Sequence, residues 1–261
     1  MKTTDIKIPD NLKGLIYGAS GSGKTWTLGT APKPMYIIDC DDGMQTLAGV
    51  PGIEFDVYNH TSLELSPGSD WKRQSTRLIN KVQNKVNELI KDCPYTSVAL
   101  DSSTQYGDWI GYHLITINNR WNAEPKLRIQ DYGTIAESMS DLFLSLLQID
   151  AHVFITGHGR VVINEEKNET LHLPLMTGQK FPQKVPMYFD EMYRLITKVK
   201  PGTNDNLHLL QTQPDTSWSA KTRLNYYDPK RDTIVPILKK YEKADLTGII
   251  ERVTKARKGV K

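Results

Sequence analysis

Eight consecutive residues, Gly18-Ala19-Ser20-Gly21-Ser22-Gly23-Lys24-Thr25, have the types and spacing to hold a chain of phosphates. Glycines let the backbone wrap an anion with its N–H groups turned inward, and a helix starting at Gly23 or Lys24 adds its positive N-terminal end. At this spacing Lys24 reaches the β- and γ-phosphates of a nucleoside triphosphate, and the Thr25 hydroxyl is placed to ligate Mg2+. Such a glycine run can be an empty turn, but rarely with a strand before it and a helix after it. Trp26 follows immediately. Contact with an adenine ring and packing into the core are both open to it.

Other chemistry-bearing residues stand where strands end. Asp101 closes the run Ser97-Val98-Ala99-Leu100, the usual form of a second carboxylate that holds Mg2+ opposite Thr25. Asp39-Cys40-Asp41-Asp42 closes another strand. An acid there can orient or deprotonate the water that attacks a γ-phosphate, and Asp41 is the first choice, with Asp39 and Asp42 as substitutes. The plainer reading of these acids is a solvated strand end. His158, between Gly157 and Gly159, is a candidate sensor of the γ-phosphate in a backbone that can bend. Lys221 and Arg223 are two residues apart and would share one face of a strand. They suit either a solvated edge or a pair of cations supplied to a neighbouring subunit's site.

The elements that must position these residues can be read from periodicity. Strands are expected at Gly14–Tyr17, Met35–Ile38, Ile53–Tyr58, Thr96–Leu100, His152–Thr156, Tyr193–Lys198 and Leu207–Thr212. Helices are expected after the phosphate loop, over Trp71–Lys91, around Tyr106–Ile117 and over Tyr132–Gln148, where apolar residues recur at helical spacing. The stretch between His152–Thr156 and Pro186 reads as polar. Alternating strands and helices predict an α/β fold, a mostly parallel twisted sheet with helices on both faces, and a ligand beyond the carboxyl ends of the strands. A core over residues 1–225 and a C-terminal extension with a basic tail over 226–261 are the expected division.

Composition narrows the class. The chain has 261 residues, enough for one large domain with a sizeable core. No apolar run approaches the roughly 20 residues that span a bilayer, and Met1–Lys7 lacks the apolar stretch of a signal peptide. Cys40 and Cys93 fit no metal-ligand pattern and suit reduced thiols in a cytoplasmic protein. A net charge of +3 does not announce a nucleic-acid binder by itself. The basic end Thr254–Lys261 suits a solvated tail or a phosphate-backbone contact.

In their order these motifs resemble those of the RecA family. Ile38-Asp39-Cys40-Asp41 is similar to the segment ending in that family's catalytic glutamate, with Asp41 in its place. Val98–Ser102 resembles its second Mg2+ motif, Phe154–His158 its sensor strand, and Lys221-Thr222-Arg223 its cations that act across subunits. Asp39–Gly43, Gln130-Asp131-Tyr132-Gly133 and Tyr188–Arg194 look like bacteriophage RecA-core ATPases that anneal or recombine single strands. The likeness runs over residues 12–225. It implies a RecA-like core, ATP and Mg2+, and a homo-oligomer, ring or filament, with nucleotide at subunit interfaces. It also implies single-stranded DNA bound by loops near Asn118–Arg128 and Arg160–Lys184, a setting in the bacterial host cytoplasm, and a single-strand-binding protein as a further partner. The first loop offers Arg120, Trp121, Lys126 and Arg128, the second Arg160, Lys167, Lys180, Phe181 and Lys184. Aspartate for glutamate, and histidine where RecA has an amide, depart from the pattern and bear on hydrolysis and coupling. Two alternatives stay open: a nucleotide-bound DNA-binding oligomer with negligible turnover, and a P-loop phosphotransferase. A helicase or packaging motor would want a further domain.

Overall fold

The strand that feeds the phosphate loop, β1 (Lys13–Gly18), is apolar on both faces, with Leu15, Ile16 and Tyr17 fully buried, as an interior parallel strand must be. The computed structural model describes residues 10–259 except 67–68, 123–124, 165–168, 179 and 229, with no side chain described at 164, 169, 226, 228 or 257–259. After β1 come α1 (Lys24–Leu28), β2 (Met35–Asp39), β3 (Ile53–Val57) and α2 (Ser75–Lys91). The middle of the chain supplies β4 (Ser97–Asp101), α3 (Ser103–Ile117), α4 (Asp131–Leu146), β5 (His152–Asn164), β6 (Glu169–Pro174) and α5 (Phe181–Lys184). The remainder forms β7 (Glu191–Val199), β8 (Asn206–Gln211), β9 (Asn225–Asp228), β10 (Thr233–Pro236), β11 (Tyr241–Lys243) and α6 (Leu246–Gly259).

The main sheet runs β11-β8-β7-β1-β5-β4-β2-β3, with β6 added to β5. Its six central strands, β7 to β3, are parallel, while β8, β11 and β6 pair antiparallel. The α/β fold and its mostly parallel sheet are thus as the sequence implied. β5 separates β1 from β4, so Gly18 is level with His158 and Asp39 is level with Asp101. That register brings the ends of four strands to one edge.

Helices cover both faces. On one, Leu78, Val82, Val86 and Leu89 of α2 join residues of α3, α4 and the sheet in a core around Tyr17, Leu100 and Ile155. Their spacing places all four on one side of α2, and each buried side chain contributes on the order of 2 kcal/mol. On the other face Leu28 of α1 and Leu246, Ile249 and Val253 of α6 pack over Ile16, Ile37 and Phe154. Residues beyond 225 therefore complete the second core.

Several elements differ from the sequence reading. The helix predicted from Trp71 begins with a 3-10 turn, Trp71–Gln74, and becomes α-helical at Ser75. Within the polar stretch after Thr156, β5 continues to Asn164 and pairs antiparallel with β6 beyond the sheet edge. Val161, Val162 and Ile163 supply the β-branched residues for it. Lys221 and Arg223 do not lie on a strand; Lys221 makes an isolated bridge to Met192. The basic end is helical in backbone to Gly259, while Val260, Lys261 and the side chains of Arg257 and Lys258 lie outside the described residues. So do Met1–Pro9 and Lys167.

Candidate nucleotide site

The phosphate loop turns sharply because Gly21 and Gly23 take φ of 73° and 93°, left-handed values that favour glycine. At Gly23 a side chain is excluded twice over, since a Cβ would lie 3.0 Å from the His208 ring. The Ser22 carbonyl accepts from Thr197 Oγ1 at 3.1 Å and from His208 Nδ1 at 2.8 Å. A carbonyl only accepts, so Nδ1 carries the hydrogen. β7 and β8 thereby brace the loop from below. Lys24 is buried, and its amine donates to Gly18 O at 3.3 Å and Ala19 O at 3.0 Å. Burial pushes its pKa down, against the pull of Asp101 and Asp41.

Thr25 Oγ1 donates to Asp101 Oδ2 at 2.6 Å, and Thr156 Oγ1 donates to Asp101 Oδ1. Burial raises the pKa of Asp101 despite both hydroxyls. A dication beside this carboxylate would offset that cost. Gly43 leaves room for one: a Cβ there would stand 3.1 Å from Thr25 Oγ1 and 3.6 Å from Asp101 Oδ2. Hydroxyl and carboxylate oxygens suit Mg2+, so these residues fit it. Among the described residues, no group of three His, Cys, Asp or Glu side chains could hold a metal. Mg2+ here would rely on phosphate oxygens and water as well.

Asp41 faces the same cleft. Its Oδ2 accepts from Ser102 Oγ at 2.7 Å and lies 3.8 Å from His158 Nε2. Burial and Lys24 lower the His158 pKa, and the His158 backbone N–H donates to Thr104 Oγ1 at 3.0 Å. A neutral His158 beside Asp41 is poised to orient polar groups rather than to form an ion pair. Asp39, a substitute for Asp41 on sequence grounds, is fully buried. Its Oδ1 accepts the N–H groups of Asp41 and Gly43, Oδ2 has no partner, and burial pushes its pKa up to about 6. It shapes the strand end and does not face the cleft.

The other candidates are dispersed. Lys221 Nζ donates to Pro186 O at 2.8 Å and Phe189 O at 2.7 Å, which ties it to its own chain. Arg223 is exposed and pairs with Asp190 at 2.5 Å. Trp26 is 43% exposed, so it is not a core residue. Arg120, expected to meet DNA, is buried against Asp131 at 2.5 Å with side chains 8% and 6% exposed. Trp121 donates to Thr116 Oγ1 and is covered by Arg73. Arg120 and the Arg128 backbone N–H are held on Asp131, because a buried cation needs its counter-charge more than a solvent-facing one does. A groove of about 1030 Å³ instead opens between α4 and α5, lined by Ile129, Tyr132, Glu137, Arg160, Lys180 and Lys184 among others.

Sequence reasoning missed Thr156, Ser102, Thr104, Thr197 and His208. Polar residues flanking Asp101, and Thr156 at the end of the apolar run Val153–Ile155, were a usable signal for the first three. Thr197 and His208 meet the loop across more than 170 residues, and nothing local announces that.

A phosphate loop between β1 and α1, with Thr25 on the carboxylate that ends β4, defines a P-loop nucleoside-triphosphatase. The chain belongs to a family of AAA domains, whose pattern matches residues 10–224; such P-loop proteins bind ATP with Mg2+. Among solved structures, a KaiC-like protein from the hyperthermophilic archaeon Pyrococcus horikoshii is similar over 86% of this chain and 88% of that one, at 14% identity and a TM-score of 0.42. No curated protein sequence matches the chain. No helix among the described residues is long and apolar enough to cross a membrane.

Proposed function

We propose that this protein is an ATP-hydrolysing recombination protein of bacteriophage type, which binds single-stranded DNA and promotes annealing or strand pairing as a homo-oligomer. One observation carries the reading. A single strand, β5, places Thr156 on Asp101, His158 beside Asp41, and Arg160 in the wall of the basic groove. Loss of a γ-phosphate at one end can therefore be felt at the other along five consecutive residues of β5, Thr156 to Arg160. The groove supplies Lys180, Lys184 and Arg160 for phosphates and Tyr132 for stacking, the combination that holds single strands without regard to sequence.

In this reading Lys24 and the loop N–H groups hold the triphosphate, and Asp41 takes the proton of the attacking water, with Ser102 and His158 fixing its orientation. Mg2+ at Thr25 and Asp101 would neutralise phosphate charge. Lys221 and Arg223 would serve a neighbour's site only after leaving their present partners. That tethering favours a second reading, in which ATP holds the oligomer together and turnover is negligible.

The test is ATP hydrolysis by the purified protein with and without single-stranded DNA, beside Lys24→Ala. Turnover that rises with DNA and vanishes in the variant supports the first reading. DNA binding with no turnover favours the second. Hydrolysis indifferent to DNA, with no DNA binding, defeats both.

A further inference from the structure

We propose that Trp26 and His208 form the subsite for the base of the nucleotide whose phosphates the loop holds, an inference that rests on the phosphate-loop reading above. Trp26 is 43% exposed, although its neighbours Lys24, Thr27 and Leu28 are buried. Its ring lies 5.6 Å from that of His208, at 32°. His208 is itself fixed, by the Ser22 carbonyl and by Thr197 at 3.3 Å. The pair therefore moves with the phosphate loop.

Sheet order gives the direction. β4, which carries Asp101, lies two strands to one side of β1, and β8, which carries His208, lies two strands to the other. At the usual strand spacing each is about 10 Å away. A triphosphate whose terminal group lies toward Asp101 and Asp41 sends its sugar and base toward β8. There Trp26 offers an exposed aromatic face. Bases stack on such rings whatever their identity. His208 adds selectivity: with Nδ1–H donated to the Ser22 carbonyl, Nε2 is left for a hydrogen bond with a polar edge of the base. Leaving Trp26 exposed costs free energy in solution, and stacking with a base recovers it.

Binding of Mg-ATP and of Mg-tripolyphosphate, which has no base, is measured by calorimetry on the full chain, Trp26→Ala and Trp26→Phe. Trp26→Ala should weaken ATP about tenfold and leave tripolyphosphate unchanged, with Trp26→Phe restoring most of the loss. In the wild type, ATP and not tripolyphosphate should change tryptophan fluorescence, and Trp26→Phe should remove that response; this holds even where the alanine variant folds poorly. Equal loss for both ligands, or loss for neither, overturns the subsite. Wild-type protein that binds tripolyphosphate as tightly as ATP overturns the subsite alone. Wild-type protein that binds neither overturns the phosphate-loop reading and the subsite with it.

Discussion

The cleft at the strand ends and the groove between α4 and α5 are both polar, yet they are built in opposite ways. In the cleft each group holds another: Thr25 and Thr156 on Asp101, Ser102 on Asp41, Lys24 on its own loop. In the groove Tyr132, Lys180 and Lys184 line open space, and neighbouring Ile129 is 90% exposed. Interlocked groups hold fixed positions, and those that are buried, such as Lys24 and Asp101, feel each other's charge strongly, which chemistry requires. Exposed, flexible cations make weak individual contacts that sum over a polyanion, which is what binding requires.

That contrast can be broken by substitution. The largest effect is expected at Asp101→Asn, which removes the carboxylate that Thr25 and Thr156 hold; ATP turnover should fall about a thousandfold in a steady-state assay. A smaller loss would mean the cleft tolerates rearrangement. Asp41→Asn keeps the acceptor for Ser102 but cannot take a proton, so turnover should fall about a hundredfold with ATP affinity retained in calorimetry. Unchanged turnover would reassign the water-activating role.

Arg120→Ala sharpens the boundary between the two regions. It leaves Asp131 buried without its cation and should cost about 3 kcal/mol, read from the urea midpoint. If Arg120 were a DNA contact instead, the variant would unfold normally and lose about one unit from the salt slope of DNA binding. The smallest effect is expected in the groove. Lys180→Ala with Lys184→Ala should weaken single-stranded DNA about tenfold and lower the salt slope by about two. An unchanged slope would place the DNA elsewhere.

How much of this was legible depends on distance along the chain. Gly18–Thr25, Asp41 and Asp101 could be found because each motif lies within a few residues and ends a strand that its own apolar run announces. β6 and its antiparallel pairing with β5 were hidden by the polar residues around them, since a strand beyond the sheet edge needs no continuous apolar run. Arg120 looked like a surface cation for a different reason: its partner, Asp131, is eleven residues on, in a different element.

The sequence alone determined the phosphate loop, the parallel α/β order and the acids at the strand ends, because backbone conformation and hydrophobic period are local properties of the chain. Only the tertiary structure decided that Asp41 and not Asp39 faces the cleft, that Arg120 is a latch, and that Trp26 stands exposed beside His208. Each of those turns on burial and on a partner brought from another element, and neither quantity exists until the chain has packed.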